Sequence, residues 1–306
     1  MSRVRLLVLG SGGFLGRHIV EAARAEDLEV IAHTRRAEDS AAGPSVRLDL
    51  EAAPTAALSE LLRRVRPEVV VNAIGLARGH PQAMQATNVG VVRRLLDALA
   101  ETLPATRFVQ LGSAAEYAPV EIGQGIAETA RAEPTSDYGR SKLLATQSVL
   151  EAIASGRLDA VVLRIFNPVG RGMSEATLAG RALALMRGAL RRGNPTISLG
   201  PLDDYRDFID ARDVGSAVVA AVDAREPLPH VVNIGSGVAT EARVLVQLLA
   251  RGVGFTGSIR EDQSASDRSA AVMWQRAEIR LAERALGWEP QYRLEEAVDR
   301  MAEEEC

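Results

Sequence analysis

The chain has 306 residues, 47% hydrophobic and 25% charged, enough for one large α/β unit or two intimate lobes around a sizeable core. Its formal net charge is −4 and no basic run exceeds two consecutive arginines, which argues against nucleic acid or an anionic membrane as a partner. The one cysteine, Cys306, is the last residue, so neither a disulfide framework nor a Cys-based metal site is expected, and a reducing cytoplasm fits.

In chain order, the first apolar run predicts a strand over Arg5–Leu9. It is too short for a signal-peptide core or a membrane span. It runs straight into GSGGFLG, with Gly10, Gly13 and Gly16 spaced by three, and then into a helical pattern over Leu15–Ala25. Glycines between a strand and a helix permit a tight turn, close backbone approach to a pyrophosphate and close helix–strand packing, while the helix N-terminus offers free N–H groups to the anion. Dinucleotide binding is the function this context supports, against the blander reading of a flexible connector. A second strand over Glu29–His33 ends in Thr34, Arg35 and Arg36 with no acidic residue. NAD sites usually place a carboxylate there for the ribose 2′-hydroxyl, whereas two guanidiniums beside a hydroxyl suit a 2′-phosphate, so NADPH is expected ahead of NAD. Solvated surface arginines are the competing reading.

Strands at Val46–Asp49, Val69–Ala73, Arg107–Leu111 and Ala160–Ile165 then alternate with helices at Thr55–Arg64, Met84–Glu101 and Asp137–Ala154. Near-continuous apolar strands separated by helices predict an α/β fold with a doubly wound parallel (Rossmann) sheet. After Arg164 the rhythm changes, with Gly, Pro and Arg frequent in NPVGRG, RRGNP and LGPLDD. We expect a dinucleotide-binding unit over residues 1–165 and a smaller, mainly substrate-binding lobe over 166–306, with later segments free to return to the first.

The sequence contains a single lysine, Lys142, against 35 arginines, and it lies four residues after Tyr138 on the predicted helix. The two side chains share a face. An ammonium beside a phenol favours phenolate and makes the tyrosine a usable proton donor near neutrality, and an arginine is a bulkier, planar substitute. A surface tyrosine with a chance lysine is the alternative.

With these residues in hand, the chain resembles the extended short-chain dehydrogenase/reductase family over nearly its whole length. Its motifs appear in order as GSGGFLG, NAIG, TNV, LGSAAEY, YGRSK, RIFNPVG, YRDFIDARDV, NIGSG and LGWEP. The resemblance implies that Ser113 hydrogen-bonds the substrate oxygen, that Tyr138 is the acid/base, and that Lys142 orients the nicotinamide ribose. It implies cofactor contacts for Gly10, Gly13, Phe14, Leu15, Gly16, Thr34, Arg35, Arg36, Asp49 at the adenine edge, Leu50, Ala73, Ile74, Gly75, Asn88 and Pro168. For a nucleotide-diphosphate sugar it implies contacts from Asn167 and from the diphosphate arginines Arg206 and Arg268, the latter in RSAAV where R-P-x-[DE]-V is usual.

Family 4,6-dehydratases follow the catalytic hydroxyl with Asp-Glu, whereas Ser113 is followed by Ala114 and Ala115, which cannot move protons. Reductases that also epimerise at C3 and C5 need a cysteine and a histidine in the site, and the only cysteine is terminal. The segments RIFNPVGRGMS and LGPLDDYRDFIDARDVGSAV look most like the GDP-4-keto-6-deoxymannose reductases. The resulting expectation is an NADPH-dependent 4-ketoreductase of a GDP- or dTDP-linked 4-keto-6-deoxyhexose. A 4-epimerase with bound NAD and a non-catalytic NADP(H) sensor are the alternatives. A homodimer through the helices around 84–101 and 137–154 is expected from the resemblance alone.

Overall fold

The structure is a computed structural model that describes residues 3–35, 43–193, 195–262 and 272–303. Arg36, Arg268 and Cys306 lie outside the described residues.

Runs of Leu, Val and Ile form the central strands because both faces of the sheet are covered. The first half of the chain alternates as expected: β1 (Arg5–Leu9), α1 (Phe14–Ala25), β2 (Glu29–Thr34), β3 (Ser45–Arg47), α2 (Thr55–Val65), β4 (Val69–Asn72), α3 (Pro81–Gln85), α4 (Val91–Thr102), β5 (Arg107–Ser113), α5 (Asp137–Ala154) and β6 (Ala160–Ile165). The second half contributes β7 (Asn167–Val169), α6 (Leu178–Arg192), β8 (Thr196–Leu199), β9 (Tyr205–Asp210), α7 (Ala211–Asp223), β10 (Val231–Ile234), β11 (Ala239–Glu241), α8 (Ala242–Gly252), β12 (Ser258–Glu261), α9 (Arg280–Leu286) and α10 (Leu294–Ala302).

Seven strands form one parallel sheet in the order β10-β6-β5-β4-β1-β2-β3. The strand order reverses between β1 and β4, the switch point outside whose C-terminal strand ends open α/β sheets place a ligand crevice. One face of the sheet is covered by α1 and α7, the other by α2, α4 and α5. Gly215 lets α7 press on α1, since a Cβ there would lie 2.7 Å from the His18 carbonyl oxygen. A separate apolar cluster forms among α6, α8 and α10, with Met186, Leu245, Leu249 and Val298 at its centre. The segment at residues 288–292 is also tied to α7 on the main sheet. The buried Asp213 carboxylate accepts from the Gln291 and Tyr292 amides, and Trp288 donates to the Ser216 hydroxyl.

Two local differences from the sequence expectation have physical causes. The single helix expected over Met84–Glu101 is helical from Pro81 to Thr102 but contains a widened turn at Ala86–Gly90. Asn88 in that turn is buried and bonds both the amide and the carbonyl of Leu76, which holds the turn open. β3 closes at Arg47 rather than Asp49, because the Leu48 carbonyl faces the His33 ring 2.8 Å away.

Candidate active site

The glycine turn leads from β1 into α1. Gly10 has φ +76°, and its missing side chain makes room for the β4 loop: a Cβ there would lie 3.0 Å from Ile74 Cγ1 and 3.2 Å from the Ala73 carbonyl carbon. Gly16 is required more strictly, because a Cβ would sit 2.0 Å from the Gly10 oxygen. The turn closes through the Gly13 amide to the Gly10 carbonyl at 2.9 Å. What remains is a backbone-lined hollow at a helix N-terminus that side chains would fill, and it fits a dinucleotide pyrophosphate. Phe14 meets the His18 ring edge-on at 5.7 Å, and Leu15 packs on the sheet core.

At the far end of this hollow Thr34 is buried as the last residue of β2, and Arg35 follows it, exposed. Asp49 Oδ1 accepts from the Glu51 and Ala52 amides, so the carboxylate also caps the turn that carries buried Leu50. Arg94 fixes the same turn by donating to the Leu50 and Glu51 carbonyls.

The catalytic candidates come from β5 and α5. Ser113 ends β5, where its hydroxyl accepts from the Ala115 amide at 3.2 Å. Ser136 caps α5 by accepting from the Gly139 amide. Gly139 then presses α5 onto the turn after Ser113, since a Cβ would lie 2.2 Å from the Ala115 oxygen. This contact brings Tyr138, half-buried, alongside the Ser113 turn. Lys142 is 4% exposed, and its ammonium donates to the Leu111 carbonyl at 2.5 Å. Burial brings its pKa down to about 8, with Glu116 pulling the other way. Asn88 donates to Ser141 Oγ, which in turn donates to the Tyr138 carbonyl, so the β4 loop, the widened turn and α5 form one connected unit. The exposed Gly75 backs onto Asn88.

Beneath Ser113 lies a buried ion pair that sequence reasoning missed. Glu116 is fully buried; it accepts from the Ser113 amide at 2.8 Å and from Arg164 Nε at 2.8 Å. The Arg164 guanidinium also lies over the Tyr117 ring, 4.4 Å from its centroid. Gly112 leaves no space for a side chain there, with a Cβ only 2.8 Å from Glu116 Oε1.

On the side of β7 and β9, Asn167 donates to the Asp207 carbonyl and to Gln275 Oε1, and Gln275 donates to the Ala114 carbonyl. These bonds join Asn167 and its neighbour Pro168 to the Ser113 turn. Arg206, implied by the resemblance as a diphosphate contact, pairs with Asp204 at 2.6 Å and donates to the Tyr205 carbonyl. Burial raises the Asp204 pKa, against the opposing charge of Arg206. No group of His, Cys, Asp and Glu that could hold a metal occurs among the described residues, and among them no helix is long and apolar enough to cross a membrane.

A seven-stranded parallel sheet with a glycine turn at its switch point defines a Rossmann-type α/β protein. Comparison with known proteins makes this specific: the chain belongs to the NAD dependent epimerase/dehydratase family, whose pattern matches residues 6–235. It is 37% identical over 297 residues to a dTDP-6-deoxy-L-talose 4-dehydrogenase (NAD(P)(+)) of Kitasatospora kifunensis, covering 96% of this chain and 93% of that protein. It is 30% identical over 226 residues to a UDP-glucose 4-epimerase of Streptomyces lividans, covering 69% and 65% of the two chains. Among solved structures it is similar to MoeE5 in complex with UDP-glucuronic acid and NAD, with TM-score 0.83 and 26% identity over 98% of both chains.

Proposed function

We propose that this protein reduces the C4 carbonyl of a dTDP-linked 4-keto-6-deoxyhexose with NADPH, the reverse of the direction in the name of the Kitasatospora relative. The observation that carries the reading is the packing of Gly139 on Ala115. It brings the Tyr138 helix onto the Ser113 turn at the end of β5, the neighbour of the β4 strand that borders the glycine turn. A nicotinamide bound along that crevice supplies the hydride. Ser113 Oγ hydrogen-bonds the C4 oxygen, and the Tyr138 phenol gives its proton to that oxygen as the alkoxide forms. Lys142 sets the charge beneath the phenol and the ribose. Arg206 exchanges part of its pairing with Asp204 for the sugar diphosphate, and the cluster around α6, α8 and α10 forms the sugar-nucleotide lobe. Arg35 reads the 2′-phosphate. The alanines after Ser113 disfavour dehydration, and the near full-length likeness to a dTDP-sugar enzyme favours dTDP over GDP.

The test follows NADPH absorbance with a panel of dTDP- and GDP-linked 4-keto-6-deoxy sugars. One NADPH should be consumed per dTDP-linked ketone reduced, and dTDP-6-deoxy-L-talose with NADP+ should run the reaction backwards. Interconversion of fully hydroxylated 4-epimers without added cofactor would instead make the protein an epimerase.

A further inference from the structure

His33 has no part in the chemistry above, yet it is 3% exposed in β2 and both of its ring nitrogens are engaged. The Gly10 amide lies 3.3 Å from Nδ1, and the Leu48 carbonyl oxygen lies 2.8 Å from Nε2. An amide N–H only donates and a carbonyl only accepts. Both contacts can be satisfied together by one form alone, the neutral ring with its proton on Nε2. The main chain of the same residue adds two bonds, because its carbonyl accepts from the Ser11 amide at 3.3 Å and the Ser11 hydroxyl at 2.8 Å. One side chain thus spans the distance between the glycine turn and the end of β3, where Leu48 leads into Asp49 and Leu50.

We propose that His33 is a positioning residue for the dinucleotide. Its neutral Nε2–H imidazole sets the spacing between the turn that receives the pyrophosphate and the β3 end that receives the adenosine. The inference rests on the reading that this crevice takes a dinucleotide. Protonation would put a hydrogen on Nδ1 facing the Gly10 N–H, two donors in one contact, and the glycine turn would have to move. Burial favours the neutral form and holds the pKa below its ordinary 6.5, opposed by the Leu48 carbonyl and the Asp49 charge. The charged groups near it are Arg47 and Asp49 at the β3 end and Arg35 just beyond β2, while Gly10 and Ser11 on the β1 side carry none. The neutral ring is therefore fully present above about 6.5 and is lost as pH falls through the lowered value.

The full chain can be titrated with NADP+, which survives acid, by calorimetry at pH 7.5 and 5.5, comparing wild type with His33→Asn and His33→Gln. Asn keeps an acceptor near the Nδ1 position, and Gln keeps a donor near the Nε2 position. Each should bind about fivefold more weakly than wild type at pH 7.5, the worth of one lost bond. Wild-type affinity should fall further at pH 5.5 than that of either variant. The ligand's own phosphate titrates in this range, and the amide variants carry that effect alone, so the difference belongs to His33. Equal affinities and equal pH curves for all three proteins would overturn the proposal. A second measurement needs no variant: 15N spectra of the wild-type histidines, four in the sequence, should show one ring fixed as Nε2–H at pH 7.5 and losing its neutral form only below the ordinary 6.5. An Nδ1–H or a charged ring at position 33 at pH 7 would also overturn it. Wild type that binds neither NADP+ nor NAD+ would instead remove the dinucleotide reading, and this inference with it.

Discussion

At the glycine-turn end of the cleft the groups packed under the backbone are neutral, whereas at the Ser113 end they are ions. Gly10 rests on an imidazole that a carbonyl holds in one tautomer. Ser113 rests on a carboxylate that a buried guanidinium neutralises, with a buried ammonium nearby. The difference has an energetic meaning. A neutral hydrogen bond removed singly costs about 1 kcal/mol, whereas removing one partner of a buried ion pair leaves an uncompensated charge and costs about 3–5 kcal/mol. The turn should therefore respond to substitution in graded steps, and the Ser113 end should respond abruptly.

The largest effects are expected where the reacting oxygen would sit. Tyr138→Phe removes the proposed proton donor and should lower kcat by roughly 10²-fold or more while NADP+ still binds. Lys142→Arg keeps the charge but cannot place a planar group in a space where the ammonium is enclosed against the Leu111 carbonyl, and it should lose a similar factor. Stopped-flow turnover beside equilibrium cofactor binding separates the two steps. Near-normal turnover of Lys142→Arg would show that compact charge is not what this end of the cleft provides.

Glu116→Gln comes next. It should cost about 3–5 kcal/mol in a denaturant titration by orphaning Arg164, and Glu116→Gln combined with Arg164→Met should cost less than the single change. The pH profile gives an independent readout. The Lys142 ammonium, held at about 8 by burial, is present below that value, so activity that needs it declines as pH rises through 8. Glu116 raises that pKa, so its removal should move the alkaline limb to lower pH. An unmoved limb would separate Glu116 from the lysine and leave it a structural role only.

Much of this was legible in the sequence because backbone requirements are local. The strand–glycine–helix order placed β1, the turn and α1, and the Tyr138–Lys142 spacing placed both on α5, which begins and ends where the pattern predicts. The supporting groups were harder to read because their partners are distant in sequence. Glu116 and Arg164 are 48 residues apart, and His33 and Leu48 meet through a ring whose role depends on tautomer. A signal existed for the first pair: an arginine inside AVVLRI, a strand expected to be buried, requires a buried counter-charge. No such signal marked Asp204 as the partner that engages Arg206.

The smallest expected effect also sharpens the comparison most. Arg35 stands exposed just past the buried Thr34, so any bond it makes to a 2′-phosphate is solvated and screened by salt. Arg35→Ala should weaken NADP+ binding by about fivefold at low ionic strength and by less at high, near the low end for a charge-assisted contact. NAD+ lacks the phosphate, and its affinity should not change. His33 acts differently, because it sets the shape of a turn that receives the pyrophosphate common to both dinucleotides. Its variants should weaken NADP+ and NAD+ by the same factor and with little dependence on salt. Titrating both variants with both dinucleotides at two salt concentrations distinguishes recognition by charge from recognition by shape within the same half of the cleft. An Arg35→Ala protein that loses NAD+ as readily as NADP+ would place Arg35 with His33 as a determinant of shape, and the proposed preference for NADPH would lose its support.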